Sequence, residues 1–350
     1  MDSLYFIPEY FKYILERLVE KGWLVHNFPD LDEGEEYNPS GYIYNKDVNG
    51  VTYTICLDVN IYQFIINSVK KERSKQEYKD AICLVCFCQL AGIELDPTIA
   101  IYEKLDYSFD KAKLAEITRD LEVFNKINNI SDDQLIRYVF DEIDKIEPKN
   151  KYDMDHKYIQ NKLTKNRRLR NWDSLYLIIL YITYTSLDSD KTDQEKLRLV
   201  VEWMITEFRM SLVCITYAIV YFSKNPIKKM MKYKLSDTSS KRKRALYNMT
   251  WDLYALNKYF EDWIKREKNH ECLYASDDKA FRNLLNLSVE IQNIGSLEPL
   301  SSYLDERELE YFEIITNNPS DQFERVYDGE SWGPEYRQEL IDDLNKKLGI

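Results

Sequence analysis

The stretch Val51-Thr52-Tyr53-Thr54-Ile55-Cys56-Leu57-Asp58-Val59-Asn60 decides how the rest of the chain is read. Its first seven residues are mostly β-branched or aromatic, the types that suit a pleated, half-buried surface, so a strand is predicted. The apolar run stops on a carboxylate, Asp58. Ile61-Tyr62-Gln63-Phe64-Ile65-Ile66 then resumes with helical spacing. In open α/β sheets, sites lie where a strand ends and passes into a helix. Asp also ends strands for turn and capping reasons, so Asp58 gains meaning only from acids placed in the same way elsewhere.

Working outward, residues 4–21 carry apolar side chains at helical spacing, and Gly22 stops that helix. Residues 28–40 are acidic and turn-rich. Gly41-Tyr42-Ile43-Tyr44-Asn45 and Val51–Leu57 flank Asp47-Val48-Asn49-Gly50, which predicts a hairpin with Asn-Gly at its turn. Beyond Asp58, helices are expected over 60–71 and 76–91, the second closed by Gly92. Ile93-Glu94-Leu95 is a short strand. Asp96 then caps a helix that has Pro97 in its first turn and carries Glu103. This order is the start of a parallel α/β unit. From 107 to 235 the texture is helical throughout (110–128, 132–145, 155–166, 172–186, 193–223), which reads as an insertion. Helix 241–267, strand 271–276 and a helix opening at Asp277 restore the α/β pattern. An acidic tail, 296–350, holds helices near 300–316 and 334–348.

Composition narrows the classes. With 44% apolar residues in 350, a sizeable core is available, and 9 Gly and 9 Pro are too few for a turn-rich all-β chain. The net charge of −12 is uneven. Residues 1–50 hold 10 acids and 4 bases, and residues 296–350 hold 14 and 5. The body between them holds 36 acids and 39 bases, so its sign does not exclude a polyanionic partner. Cys83-x-x-Cys86-x-Cys88 lies in a wholly apolar helix with no answering Cys or His pair, so buried free thiols are expected rather than a metal knuckle. The apolar runs near 175–184 and 211–222 fall short of the ~20 residues of a membrane span. Acidic and aromatic residues open the chain rather than a leader pattern, and a cytoplasmic protein with no membrane partner is expected.

Four acids recur at element ends or on helices facing the expected sheet: Asp58, Glu103, Asp252 and Asp278. Gathered carboxylates repel and stay ionised only if cations offset them. Hard divalent ions with oxygen ligands, Mg²⁺ or Mn²⁺, are the natural solution, and they activate water against phosphoryl groups. On these residues the chain resembles the PIN-domain nucleases. Leu57-Asp58-Val59-Asn60 looks like the family's first motif, and Thr98-x-x-x-x-Glu103 like the second. Asn248-x-x-x-Asp252 looks like the third, and Ser276-Asp277-Asp278-x-x-Phe281 like the fourth. The resemblance implies a Rossmann-like parallel sheet with a PIN-like core (51–106 plus 236–295), a large all-helical insertion (107–235) and helical flanks at both ends (1–50 and 296–350). It also implies Asp58, Glu103, Asp252 and Asp278 as catalytic metal ligands, with Asp277 as a rival ligand. Asn60, Thr98 and Ser276 would support them. Asp173, in Asn171-Trp172-Asp173, echoes Thr250-Trp251-Asp252 and competes for the third position, unless it serves its own helix start.

Three basic runs lie between the second and third motifs. The first includes Lys165, Arg167, Arg168 and Arg170, the second Lys228 and Lys229, and the third is Lys241-Arg242-Lys243-Arg244 at a helix start. There the helix dipole disfavours cations, so an anionic partner is expected. As a set they read as phosphate contacts. The functional expectation is a metal-dependent endonuclease acting on RNA, with room for a regulatory protein partner or self-association. The alternatives are a catalytically degenerate PIN-like RNA-binding or scaffold protein, and a DNA nuclease or phosphatase using the same acids.

Overall fold

The computed structural model describes residues 7–28, 31–32, 34–106, 110–165, 171–265, 268–318 and 333–350. The opening stretch forms strand β2, Thr52–Leu57, and its last five residues are buried. Helix α1 (Phe11–Lys21) and the two-residue strand β1 (Leu24–Val25) precede it. Gly22 ends α1 in the left-handed conformation that a stop glycine supplies.

The expected hairpin is absent. Residues Pro39–Asn49 form helix α2 instead. Asn38 caps it by accepting from the Ser40 N–H, Pro39 sits in its first turn, and Gly50 ends it at φ 67°. Asn-Gly here is a helix stop and not a hairpin turn, because the same left-handed Gly serves both.

After β2 come α3 (Val59–Lys70), α4 (Gln76–Ala91), β3 (Glu94–Asp96) and α5 (Thr98–Leu105). Pro97 occupies the cap position of α5. Asp96, one residue earlier, takes the Thr98 N–H at 2.9 Å. Then follow α6 (Lys111–Asn128), α7 (Asp132–Val139) and α8 (His156–Lys165). Strand β4, His270–Ala275, closes the sheet much later in the chain. The sheet order is β1-β4-β2-β3, with β3 and β4 parallel to β2 and β1 antiparallel to β4. The protein is therefore mostly helical with a small mixed sheet, an α/β arrangement in the coarse sense.

Two compact units emerge. The first comprises Met1–Arg167 and Tyr259–Asp278, the second Arg168–Lys258 and Lys279–Ile350. The first unit's core is centred on α4, whose residues Tyr78–Cys88 are all buried. A helix buried on every side must be enclosed, and α1, α2, α3 and α7 enclose it. Cys83, Cys86 and Cys88 lie in it as buried thiols outside any disulfide, and burial pushes the Cys83 thiol up to about 12. The second unit holds α9 (Trp172–Ser186), α10 (Asp193–Thr206), α11 (Leu212–Phe222), most of α12 (Ser239–Lys265), α13 (Lys279–Ile294), α14 (Glu306–Asn317) and α15 (Pro334–Leu348). The single helix expected over 193–223 is broken after Thr206, and a capping box built on Thr192 and Glu195 starts α10.

Candidate functional site

β2 is the inner strand at which the chain changes direction. Its C-terminal continuation leads through α3 and α4 to β3 on one side, while β4 lies on the other. The carboxyl ends of β2 and β4 thus lie at a topological switch point, where α/β sheets place ligands. Asp58 stands at its β2 side, and Ser276, Asp277 and Asp278 follow β4 on the other.

Asp58 is 8% exposed. Its backbone extends the ladder by donating to the Ala275 carbonyl at 3.0 Å. Its Oδ1 accepts from the Ile61 N–H at 2.8 Å and so caps α3. Its Oδ2 accepts from the Ser276 hydroxyl at 2.6 Å and from the Asp277 N–H at 3.1 Å. The Ser276 oxygen in turn accepts from the Asp278 N–H at 3.1 Å. Burial raises the Asp58 pKa to about 6, and the neighbouring Asp277 charge adds to the rise. The three hydrogen bonds oppose it. Among the described residues no Lys, Arg or His pairs with this carboxylate.

Trp23, which sequence reasoning missed, completes the edge. Its indole N–H donates to Asp277 Oδ1 at 3.0 Å, and its carbonyl accepts from the Ser276 N–H at 3.1 Å. The available signal was Gly22-Trp23-Leu24-Val25, a short apolar run just after a helix stop.

The other predicted residues are distributed as follows. Glu103 lies in the same unit, partly buried, five residues beyond the start of α5. At 1.5 Å per residue it is roughly 7 Å along that helix. Thr98 and Asn60 are exposed in the first turns of α5 and α3. Asp252 belongs to the second unit, where Lys232 Nζ pairs with its Oδ2 at 2.5 Å. Asp173 is also in the second unit, in the first turn of α9 with Arg337 3.9 Å away, as a dipole-complementing acid would be. Among the described residues, no group of three or more His, Cys, Asp or Glu is placed to hold a metal ion.

Of the basic residues, Lys165, Lys228, Lys229, Lys241, Lys243 and Arg244 are exposed, while Arg167, Arg168 and Arg170 lie outside the described residues. Arg242 has local partners, though neutral carbonyls and not an anion. Its guanidinium donates to the Leu348 carbonyl at 3.0 Å and to the Gly349 carbonyl at 3.1 Å. These are carbonyls at the C-terminal, negative end of α15, so Arg242 caps one helix from the start of another. Among the described residues, no helix is long and apolar enough to cross a membrane.

Comparisons with protein-family models, with curated proteins and with solved structures found no match for this chain.

Proposed function

We propose that the chain hydrolyses phosphodiester bonds, with RNA as the preferred substrate and the β2–β4 edge as the reacting centre. One observation carries the reading. A buried carboxylate, Asp58, sits at the switch point of the sheet with no compensating cation among the described residues and a pKa of about 6. Strongly perturbed acids cluster at functional sites. Acids follow both β2 and β4 at this edge, which supports the reading.

The donors at this edge are oxygens, the class that Mg²⁺ and Mn²⁺ prefer. Their arrangement does not fit an ion, because among the described residues no three acids are placed to hold one together. No step is therefore routed through a metal. What the chain's own groups supply is a base. Asp58 is ionised above about pH 6, close to neutrality, where a general base works best. Ser276 and the Asp277 N–H fix its orientation.

The test is cleavage of single-stranded RNA and DNA by wild type and Asp58→Asn, each with Mg²⁺, with Mn²⁺ and with chelator. Cleavage lost in a folded Asp58→Asn protein supports the reading, and identical products from both proteins sink it. A second reading, a non-catalytic RNA-binding or scaffold protein, is favoured by the Asp252–Lys232 pair, which neutralises the third expected acid. It predicts salt-sensitive RNA retention by the exposed lysines with no cleavage under any condition.

A further inference from the structure

We propose that the first unit carries a separate pocket for a small organic cation with an alkylammonium head. The pocket lies between α2, the start of β2 and the segment before α2, and encloses about 300 Å³, the lower end of small-molecule sites.

Three rings line it, Phe28, Tyr42 and Tyr53. Their centroids are 4.7 to 6.4 Å apart, and their planes meet at 62° to 88°. They form a corner and not a flat stack. Electron-rich ring faces around a small volume attract a cation and have no matching attraction for a neutral ligand of the same shape.

The corner is held before any ligand arrives. The Tyr42 hydroxyl donates to the Glu36 carbonyl at 2.7 Å, and the Asn45 amide donates to the Tyr53 hydroxyl oxygen at 3.0 Å. Phe28 stacks on His26 at 5.0 Å and donates its N–H to His26 Nδ1 at 3.2 Å. Burial lowers the His26 pKa, so that ring is neutral and does not compete with a bound cation.

Charge selects the ligand's sign. Glu35 lines the pocket, its carboxylate steadied by the Asn38 amide at 2.9 Å, and among the described lining residues there is no Lys or Arg. Residues 1–50 carry 10 acids against 4 bases. A phosphate-bearing ligand is repelled here, and an ammonium is drawn in. Gly41 gives the pocket room, since a Cβ built there meets nothing within 4 Å.

The experiment is calorimetric titration of the full chain with choline and with its uncharged isostere 3,3-dimethyl-1-butanol, for wild type, Glu35→Gln and Gly41→Leu. Choline binds wild type saturably, and the isostere binds at least about tenfold more weakly. Glu35→Gln weakens choline about tenfold, and Gly41→Leu, which fills the pocket from a helical position, removes binding with an unchanged circular dichroism spectrum. No saturable choline binding by wild type overturns the proposal. So does equal binding of the isostere, or wild-type affinity in a folded Gly41→Leu protein. RNA cleavage is not part of the readout, so this result is independent of the nuclease reading.

Discussion

Asp58 and Asp80 are buried carboxylates of the same unit, one at the β2–β4 edge and one on α4. Asp80 is fully enclosed and meets Arg17 at 2.8 Å, Lys21 at 2.9 Å and the Gln76 amide at 2.8 Å. Asp120, on α6, is likewise held by Lys70 and by Lys104. These two acids of the first unit are thus each met by two cations. Asp58 receives a hydroxyl and two backbone N–H groups instead. Hydrogen bonds orient a carboxylate but offset its desolvation only in part, which is why its pKa stands near 6. The difference separates a charge kept for packing from a charge kept at a cost.

The largest effect of substitution is expected at Asp80. Asp80→Ala strands Arg17 and Lys21 against a buried face, and a loss of about 3 kcal/mol in urea unfolding is expected. Asp58→Asn should behave oppositely. Asn still caps a helix, and the uncompensated charge is gone, so stability at pH 7.5 should stay within about 1 kcal/mol of wild type or rise. A loss as large as that of Asp80→Ala would make Asp58 one more structural acid.

Stability should also depend on pH through Asp58. Asp58 titrates near 6 when folded against the ordinary 3.8, so between those values the native state binds more protons than the unfolded one. Stability contributed by this group is therefore full below about pH 4 and falls as pH rises to about 6, by an amount on the order of 2–3 kcal/mol. Urea midpoints across that window should show this slope in wild type and lose it in Asp58→Asn. A smaller effect is expected at Trp23. Trp23→Phe removes the indole donor to Asp277 and should cost about 1 kcal/mol. In the second unit, Arg242→Ala should lower amide protection in the last turn of α15 by about 1 kcal/mol, read by hydrogen exchange.

The parts legible in the sequence were those written in local chemistry. Strand Val51–Leu57, the glycine stops at 22 and 92 and the apolar α4 all follow from short-range pattern. The Asn49-Gly50 turn misled because a left-handed Gly suits a helix end as well as a hairpin, and the deciding signal, Asn38-Pro39, lay a dozen residues upstream. The break between α10 and α11 carries no Pro or Gly, so no local mark announced it. Asp58, Ser276, Asp277 and Asp278 meet at the β2–β4 edge, a grouping legible from sequence because strand ends are predictable. Trp23, the Lys232–Asp252 pair and the Arg242 cap are long-range side-chain choices that no spacing encodes.

The position of β4 in the chain has a consequence for how the protein is made. β2 ends at residue 57, and the strand that pairs along its whole length, Thr52↔His270 through Leu57↔Ala275, begins at residue 270. At roughly 5–20 residues per second, the ribosome takes on the order of 10–40 s to deliver it. Throughout that time an apolar inner strand has one bare edge, the state most prone to join a foreign strand. A nascent-chain chaperone that shields residues 52–57 should therefore raise soluble yield, and slower synthesis without one should lower it.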